Sequence, residues 1–441
     1  MKILVLGAGI IGISTAWYLL DEGHEVTVVE RQPDAALETS FANGAQISVS
    51  FCEPWANSEA PWKVAKWLLR DDAPLLFRPR LDPQQWRWGL HFLTQCHDDA
   101  FARNVAQLVA LGRYSHEALQ ALVAHTGIEY QRLQRGILHF FGSRADFEAG
   151  AAAAALMRRH GVDRRVLSRQ EVLAIEPALA SFGPRIAGGT YTPTDESGDA
   201  RVFTQQLARQ AAARGARLLF NHEIRGFNQA GHSVAGVRVL DRASGEARVL
   251  QADHYVAALG SFTAPLLRPL GIHLDIVPAK GYSATLRLKR PEHASVVSLL
   301  DDERKIAISR LGDHIRIAGT AELAGYDASL DTPTAWRRCQ ALLERYEQLF
   351  PGVADLSEPH FWAGLRPSTP TNLPYIGRSR IGNLWLNAGH GTLGWTHGAG
   401  SGRALAELIS GRRPALDFHF CGALPARGRL GVAAGAVRGF S

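Results

Sequence analysis

Three glycines and a glutamate near the start of the chain have the types and spacing of a site for a pyrophosphate and a ribose. Gly7, Gly9 and Gly12 form a Gly-x-Gly-x-x-Gly pattern. The first glycine makes a tight turn, the second lets the backbone approach a pyrophosphate, and the third lets a helix pack closely on a strand. Glu30 ends the next apolar run, where its carboxylate can accept both hydroxyls of an adenosine ribose. The spacing therefore predicts an adenine dinucleotide whose 2′-hydroxyl is not phosphorylated.

The elements around this pattern have the order strand, turn, helix, strand. Residues 2–6 are an apolar run before the glycines, and residues 26–29 are a second one. Between them an apolar helix would begin near Ile10 and Ile11, and its free N–H groups and dipole favour an anion at that end. A glycine-rich turn without a ligand is the alternative, which the strand, the helix and the acid all disfavour. The pattern does not separate FAD from NAD.

A later part of the chain favours FAD. Residues 233–250 have the pattern of a β-hairpin that turns near Ser244 and Gly245. Residues 255–259 have the pattern of an apolar strand that ends at Gly260. A hairpin inserted just before the strand that returns to the sheet is more typical of flavin folds than of small nicotinamide domains.

Two further loops have compositions that suit close contact with a ligand. The first, residues 39–46, combines small polar residues with Asn-Gly, and the second, residues 389–396, is rich in glycine and precedes the final helix. Backbone amides at such turns can approach a ligand, although an ordinary turn and a plain helix cap are the alternatives. The predicted cofactor-contacting residues are Gly7, Gly9, Ile10, Ile11, Gly12, Glu30, Arg31, Ser40, Asn43, Gly260, Gly389, Gly391, Thr392, Leu393 and Gly394.

The composition is that of a globular enzyme. The chain has 441 residues, of which 46% are hydrophobic and 20% charged, and its formal net charge is +6. The basic residues are scattered, so no nucleic acid is expected as a partner. The four cysteines lie far apart, which predicts neither a disulfide framework nor a zinc site, and we expect no metal. No signal peptide and no run of about 18 apolar residues is recognisable, which predicts a cytoplasmic protein.

Tryptophan is concentrated in residues 51–96, which hold half of the ten tryptophans of the chain. Prolines break this region, and lysines and arginines alternate with the aromatic residues. This combination suits a membrane interface, where amphipathic rings lie among headgroups. Packing inside a substrate domain is the alternative. A peripheral position on the inner membrane therefore stays open beside a freely cytoplasmic one.

The middle of the chain alternates between helices and short strands. Helical periodicity marks residues 101–125 and 146–160, and Asp199 is placed to cap a helix over 201–214. Residues 188–193 have the composition of a loop.

A run of predicted strands follows, which indicates an antiparallel sheet at a substrate cavity. These strands are residues 277–280, 282–288, 305–309 and 314–319. A helix is predicted over 334–350, with Trp336 on the same face as its apolar positions.

We therefore predict an α/β protein with a discontinuous, Rossmann-like FAD-binding domain and an α+β substrate domain built on an antiparallel sheet. The first domain takes residues 1–50, 195–268 and 355–420, and the second takes residues 51–194 and 269–354. Residues 421–441 contain no Asp or Glu and are rich in Gly and Ala, which predicts a flexible tail.

Four separate motifs resemble one family. They are residues 38–43 (Glu-Thr-Ser-Phe-Ala-Asn), 278–283 (Pro-Ala-Lys-Gly-Tyr-Ser), 364–367 (Gly-Leu-Arg-Pro) and 383–395 (Asn-Leu-Trp-Leu-Asn-Ala-Gly-His-Gly-Thr-Leu-Gly-Trp). In this order and spacing the chain resembles the small subunits of bacterial D-amino acid dehydrogenases. These belong to the wider D-amino acid oxidase and glycine oxidase superfamily of FAD proteins.

The resemblance implies a reaction and its partners. It implies FAD held without a covalent bond and oxidative deamination of D-amino acids to 2-oxo acids and ammonia. It also implies hydride transfer from Cα to flavin N5, hydrolysis of the imine by water, and transfer of the electrons to a quinone at the inner membrane. The preference for the D enantiomer rests on the resemblance alone, because residue spacing does not tell which face of Cα meets the flavin.

Three residues are predicted to serve the reaction, which needs a cation for the substrate carboxylate and a fixed geometry at Cα. Arg366 is the predicted clamp, because a guanidinium makes two parallel charge-assisted bonds and related proteins carry a substrate arginine in Gly-Leu-Arg-Pro. Tyr282 is predicted to donate its hydroxyl to the carboxylate or to close the cavity. His390 is predicted to bond a flavin carbonyl or the substrate. A structural ion pair for Arg366 and core packing for Tyr282 are the alternatives.

Other functions stay open at this point. An oxidase of glycine, sarcosine or another N-substituted amino acid would keep the fold and pass electrons to oxygen. A membrane-docked scaffold that binds flavin would hold FAD without turnover of its own. An NAD-dependent dehydrogenase is the third alternative.

Overall fold

The structure is a computed structural model that describes residues 1–62 and 75–424. In chain order, the strands of these ranges are β1 (Lys2–Leu6), β2 (Glu25–Val29), β3 (Gln46–Ile47), β4 (Leu75–Phe77), β5 (Ile137–Phe141), β6 (Arg165–Leu167), β7 (Gly188–Thr192), β8 (Glu196–Ser197), β9 (Arg217–Leu219), β10 (His222–Ala230), β11 (Ser233–Asp241), β12 (Ala247–Leu250), β13 (His254–Ala257), β14 (Val277–Arg287), β15 (Ser298–Asp301), β16 (Ile306–Leu311), β17 (His314–Leu323), β18 (His360–Ser368), β19 (Tyr375–Arg378) and β20 (Leu384–Ala388). The helices are α1 (Ile10–Asp21), α2 (Pro83–Thr94), α3 (Asp98–Thr126), α4 (Arg144–Arg159), α5 (Arg169–Ile175), α6 (Ala200–Ala213), α7 (Thr263–Leu267), α8 (Pro333–Leu349) and α9 (Gly394–Ile409).

The first sheet carries the glycine-rich turn. Its strand order in the described residues is β19-β20-β13-β1-β2-β9, and β1 pairs in parallel with both β2 and β13. The side chains of residues 3–6 are all buried, as expected for parallel strands that are covered on both faces. On one face α1 packs against α6 and α9, and these helices share one core with α3. The predicted fold class is confirmed.

The opposite face of this sheet is covered by the predicted hairpin. Strands β11 and β12 pair with each other, and β10 adds a third strand that the sequence did not predict. Most side chains of β10 are partly exposed, so its sequence lacks the apolar alternation that marks a strand. Asp199 caps α6 as predicted, since its Oδ1 accepts the N–H of Arg201 at 2.8 Å and that of Val202 at 3.1 Å.

The second sheet is larger and mixed. Its strand order in the described residues is β18-β14-β17-β16-β15-β5-β7-β6, and β4 pairs with β17. Strand β14 is antiparallel to both of its neighbours, whereas β15 pairs in parallel with β5 and β17 with β4. The two strands predicted over 277–280 and 282–288 are in fact one, because β14 continues through Gly281.

Two predictions about single elements are wrong, and the predicted tail differs from the structure at its first residue. Residues 188–192 form β7 rather than a loop, because their glycines make room for packing: a Cβ on Gly188 would lie 2.5 Å from the Phe147 ring. Trp336 is 57% exposed and does not belong to the buried face of α8. The backbone of Cys421 pairs with β19, its N–H donating to the carbonyl of Ile376 at 2.8 Å, so the described start of the predicted tail is attached to the sheet.

The strands of the first sheet all lie in segments predicted for the FAD-binding domain, whereas one strand of the second sheet does not lie in a segment predicted for the substrate domain. Strand β18 falls in the segment assigned to the FAD-binding domain, yet it pairs along its whole length with β14 of the second sheet. The predicted tryptophan-rich region is described except for residues 63–74, and the remainder of the predicted tail, residues 425–441, lies outside the described residues. In residues 1–62 and 75–424, no helix combines the length and apolarity needed to cross a membrane.

Candidate active site

A cavity of about 720 Å³ lies where the two sheets and the N-termini of α1 and α9 meet. It is lined by every predicted site residue except Gly12 and Gly389. Gly12 packs against the backbone of Gly7 in the glycine-rich turn. Gly389 has a φ of +87° and lies in the chain between two residues that line the cavity. Residues distant in the sequence are therefore brought to one site, and the cavity has two distinct ends.

The first end is built by the glycine-rich turn, and we call it the dinucleotide end. Gly7 has a φ of +103°, a conformation that L side chains rarely adopt. A Cβ on Gly12 would lie 1.9 Å from the carbonyl oxygen of Gly7, so only glycine lets α1 pack this closely on β1. Gly9 precedes the first residue of α1 and lines the cavity. The turn at Gly7 and the close packing at Gly12 agree with this geometry, and the approach of a pyrophosphate to Gly9 stays a prediction.

Glu30 lies at the same end, just after β2. Its Oε2 accepts the N–H of Ala8 at 2.9 Å, and its Oε1 accepts the N–H of Gln32 at 3.0 Å. Burial raises the pKa of the Glu30 carboxyl, and the two N–H donors oppose that shift. The amides therefore fix the orientation of the carboxylate toward the cavity.

The loop after β2 closes this end. The Oγ of Ser40 accepts the N–H of Ile10 at 3.1 Å, which caps α1 from a distant part of the chain. The Oδ1 of Asn43 accepts the N–H of Ala45 at 3.0 Å, which holds the turn that lines the cavity. Arg31 is paired with Glu38 at 2.5 Å, and its guanidinium lies 4.1 Å from the centre of the Phe262 ring.

The N-terminus of α9 faces the cavity from the other side. Gly391 has a φ of +54° and donates its N–H to the carbonyl of Pro367 at 2.9 Å, so this loop is tied to the end of β18. Burial and the neighbouring His397 lower the pKa of His390 well below its ordinary value, which keeps the imidazole neutral. Its Nε2 has no hydrogen-bond partner among the described residues.

Arg366 lies at the second end, which we call the substrate end. It is half-buried on β18, and its Nη1 donates to the carbonyl oxygen of Thr320 at 2.7 Å. No carboxylate of the described residues forms an ion pair with it. Burial lowers the pKa of its guanidinium to about 10, which still leaves a cation at neutral pH. The alternative of a structural ion pair therefore has no support in the described part of the chain.

Tyr282 is almost fully buried on β14, at 1% exposure, and it lines the cavity. Its hydroxyl donates to Oε2 of Glu322 at 2.6 Å. Burial and this carboxylate raise the pKa of Tyr282, so the phenol keeps its proton. The placement suits the predicted role of closing the cavity better than donation to a substrate carboxylate, since the proton is already directed at Glu322.

Three residues of the site were missed by sequence reasoning. A Cβ on Gly281 would lie 2.3 Å from the Arg366 Cζ, so this glycine lets the guanidinium lie across β14. Thr320 has a φ of +56°, which directs its carbonyl at Arg366. Asn387 lines the cavity, and its Oδ1 is buried without a partner in the described residues. Gly281 and Asn387 lie in two of the motifs that carry the family resemblance, which could have identified them. No local signal marks Thr320, because its role depends on strands that meet only in the fold.

The fold and the cavity define a class of protein: an oxidoreductase that binds an adenine dinucleotide beside a substrate pocket with a fixed cation. A family model described as FAD dependent oxidoreductase matches residues 2–408, and the chain belongs to this family. The predicted resemblance and the predicted cofactor, FAD, are thereby confirmed.

Relatives and solved structures extend this result. The chain is 51% identical to a D-amino acid dehydrogenase of Dechloromonas aromatica over 420 residues, 95% of this chain and 99% of that protein. It is 47% identical to a D-amino acid dehydrogenase of Paramagnetospirillum magneticum over 96% of this chain and 98% of that protein. The fold is similar to that of an L-proline dehydrogenase from P. horikoshii, with a TM-score of 0.71, 19% identity and 94% of each chain covered.

The residues present fit FAD. Two helix N-termini, at Ile10 and Gly394, open on one cavity, and free N–H groups at helix starts favour a pyrophosphate. The Glu30 carboxylate is oriented for ribose hydroxyls, and Gly9 leaves room for a close approach of the phosphates. The buried polar atoms of Asn387 and His390 that lack protein partners are suited to the polar edge of a flavin ring.

Proposed function

We propose that this chain is an FAD-dependent dehydrogenase that converts D-amino acids to 2-oxo acids and ammonia. The observation that carries the proposal is Arg366, a half-buried guanidinium without a carboxylate partner in the described residues, which shares one cavity with the dinucleotide end. The D configuration is supported by relatives named D-amino acid dehydrogenase at 51% and 47% identity.

Arg366 binds and orients the substrate. One of its N–H donors is fixed on the Thr320 carbonyl, which leaves the others to make parallel charge-assisted bonds to the substrate carboxylate. Bound FAD would supply the two-electron acceptor for the hydride that leaves Cα. Because the carboxylate is held at two points, rotation of the substrate is restricted, and positioning supplies much of the rate.

The other lining residues shape the reaction space. Tyr282 closes the wall beside Arg366 while its hydroxyl is held by Glu322. The neutral imidazole of His390 can donate or accept a single hydrogen bond toward the flavin or the substrate. The cavity needs no strong base, since an amino acid whose amine is neutral already carries the lone pair that assists loss of the hydride.

We further propose a quinone as electron acceptor and contact of the 51–96 region with the membrane surface. Large apolar side chains are concentrated and exposed in this region, which supports the contact. They are Trp62 (81% exposed), Leu81 (106%), Trp86 (51%), Leu90 (67%) and Leu93 (54%). Four further basic and aromatic residues of this region lie outside the described residues; they are Lys63, Lys66, Trp67 and Arg70.

Anaerobic absorbance of the purified protein tests the proposed function. The flavin band should bleach on addition of D-alanine and should not change with L-alanine. Bleaching only by glycine or sarcosine, with hydrogen peroxide formed in air, would favour the N-substituted amino acid oxidase instead. A yellow protein that no amino acid reduces would leave Arg366 without its proposed substrate.

A further inference from the structure

The carboxylates that line the cavity are divided between its two ends. Glu30, Glu38 and Glu223 lie at the dinucleotide end, where backbone amides or arginines hold them. The backbone of His222, next to Glu223, donates its N–H to the Glu30 carbonyl, which places this third glutamate beside the first. Glu53 also lines the cavity, but it belongs to a different segment.

The segment that carries Glu53 lies at the substrate end. The N–H of Trp55 donates to Oδ1 of Asn372 at 2.9 Å, and Asn372 lies next to Gly391. Gly391 is bonded in turn to the carbonyl of Pro367, the residue after Arg366. Glu53 and the proposed carboxylate clamp therefore flank the same loop.

A buried arginine holds the Glu53 side chain. Arg164 is 3% exposed, and its Nη1 donates to Oε1 of Glu53 at 3.0 Å. The same guanidinium donates to Thr190, to the Ser50 carbonyl and to the imidazole of His139 at 3.0, 3.2 and 3.2 Å. A cation this deeply buried needs a negative partner, so the ion pair with Arg164 holds the Glu53 side chain in place.

One edge of the Glu53 carboxylate remains available to the cavity. The side chain is 28% exposed, and its Oε2 accepts no hydrogen bond from the described residues. Four of the lining residues of this region are apolar, namely Phe51, Pro54, Trp55 and Phe92, and Asn57 adds a neutral amide. The cation Lys305 also lines the cavity, but its charge is paired with Asp302 at 2.6 Å. A carboxylate edge among apolar walls favours neutral groups and repels a second anion in a space of low dielectric.

We propose that Glu53 is a specificity-determining residue that faces the substrate side chain and rejects D-amino acids with acidic side chains. The inference rests on the proposed function, because it assumes that Arg366 binds the α-carboxylate. With that group at Arg366, an acidic side chain would bring its charge toward the Glu53 edge. Specificity here comes from repulsion of the wrong substrate rather than from an added attraction.

The test compares D-glutamine with D-glutamate, which are nearly equal in shape and differ in charge. In the wild-type holoenzyme, kcat/KM for D-glutamine should exceed that for D-glutamate by about tenfold or more. Glu53→Gln should reduce this ratio to about threefold or less, mainly by raising activity on D-glutamate. Glu38→Gln is the matched control, since it removes a lining carboxylate that is also paired with an arginine, but at the dinucleotide end. It should leave the ratio unchanged.

Four outcomes of this comparison would count against the proposed role of Glu53. Equal kcat/KM for the two substrates in the wild type overturns the inference alone. A Glu53→Gln variant that loses activity equally on both would place Glu53 against the shared amino group and also overturns it. If the Glu53→Gln variant does not fold, Glu53→Asp takes its place. It should keep the wild-type ratio of kcat/KM for D-glutamine to that for D-glutamate, because the charge and the Arg164 pair remain. A ratio near one in Glu53→Asp counts against the proposal. Absence of turnover with every D-amino acid overturns the proposed function, and the inference with it.

Discussion

The two ends of the cavity are built in different ways. The dinucleotide end takes most of its contacts from residues 7–43, in which one strand, one helix and two loops follow each other in the chain. The substrate end joins β14, β17, β18 and the segment around Glu53, which are separated by up to hundreds of residues in the sequence. A site for a common cofactor is thus encoded locally, whereas the site for a particular substrate depends on how distant strands meet.

The largest effect, on both stability and FAD binding, should follow from adding a methyl group at Gly12 in the dinucleotide end. Gly12→Ala would place a Cβ 1.9 Å from a backbone carbonyl that cannot move aside, so α1 must shift from β1. We expect a loss of stability of about 3 kcal/mol and a protein that retains no FAD. Flavin absorbance after purification and the midpoint of urea unfolding measure both effects.

Gly89→Ala is the control for this substitution. Gly89 lies inside α2, and a Cβ there would meet no atom within 4 Å. It should bind FAD normally and gain about 0.5–1 kcal/mol from the better helix propensity of alanine. A colourless Gly89→Ala protein would mean that the loss of FAD does not report on the close packing at Gly12.

Removing the clamp at the substrate end should leave the dinucleotide end intact. Arg366→Ala should lower kcat/KM for D-alanine about a hundredfold, which corresponds to a loss of about 3 kcal/mol of transition-state stabilisation. KM should rise. FAD content should stay at the wild-type level, because the hydrogen bond of Arg366 in the described residues goes to Thr320 at the substrate end. Unchanged kcat/KM would exclude Arg366 as the carboxylate clamp, and loss of FAD would show that the two ends are not independent.

A smaller effect on kcat/KM is expected from a substitution at Gly281, which packs against the guanidinium of Arg366. In Gly281→Ala the new Cβ would lie 2.3 Å from the Arg366 Cζ, and the flexible arginine would move away at little cost in stability. The cation stays but its direction changes, so kcat/KM should fall by about tenfold. Thermal unfolding and flavin content serve as controls. Full activity would mean that the position of the guanidinium is set by the Thr320 carbonyl alone.

The smallest effect on catalysis is expected at the outer surface of the substrate end. Trp86 and Leu90 lie one helical turn apart on the exposed face of α2, whose buried face carries Trp88 and Phe92. Replacing Trp86 and Leu90 together by glutamate should weaken binding to vesicles that contain phosphatidylglycerol by about tenfold. Dye-coupled oxidation of D-alanine should not change, because both side chains point away from the cavity.

Trp336→Glu is the matched variant for the vesicle experiment. Trp336 is another exposed tryptophan, at 57%, but it lies on α8. It should bind vesicles like the wild type. An equal loss of vesicle binding in both variants would indicate a general response to added negative charge. Unchanged vesicle binding in both variants would contradict the proposed membrane contact.

Sequence reasoning succeeded where the signal is local. The strand, glycine turn and helix of residues 2–21, the helix cap at Asp199, and the hairpin of β11 and β12 were predicted from neighbouring residues and are present. It failed where packing gives a residue another role. The glycines at 188 and 189 make room for Phe147 and Val172 within a strand, although their composition is that of a loop.

The sequence by itself determined the class of cofactor, because a turn, a helix start and an acid at a fixed spacing bind a dinucleotide whatever surrounds them. It also indicated Arg366 as the substrate cation through the resemblance to a family. Only the tertiary structure decided what aims that cation, since Gly281 and the Thr320 carbonyl reach it across paired strands. The pairing of Glu53 with Arg164 was likewise set by the fold. Burial and the register of distant strands create these contacts, and neither is a property of any short stretch of chain.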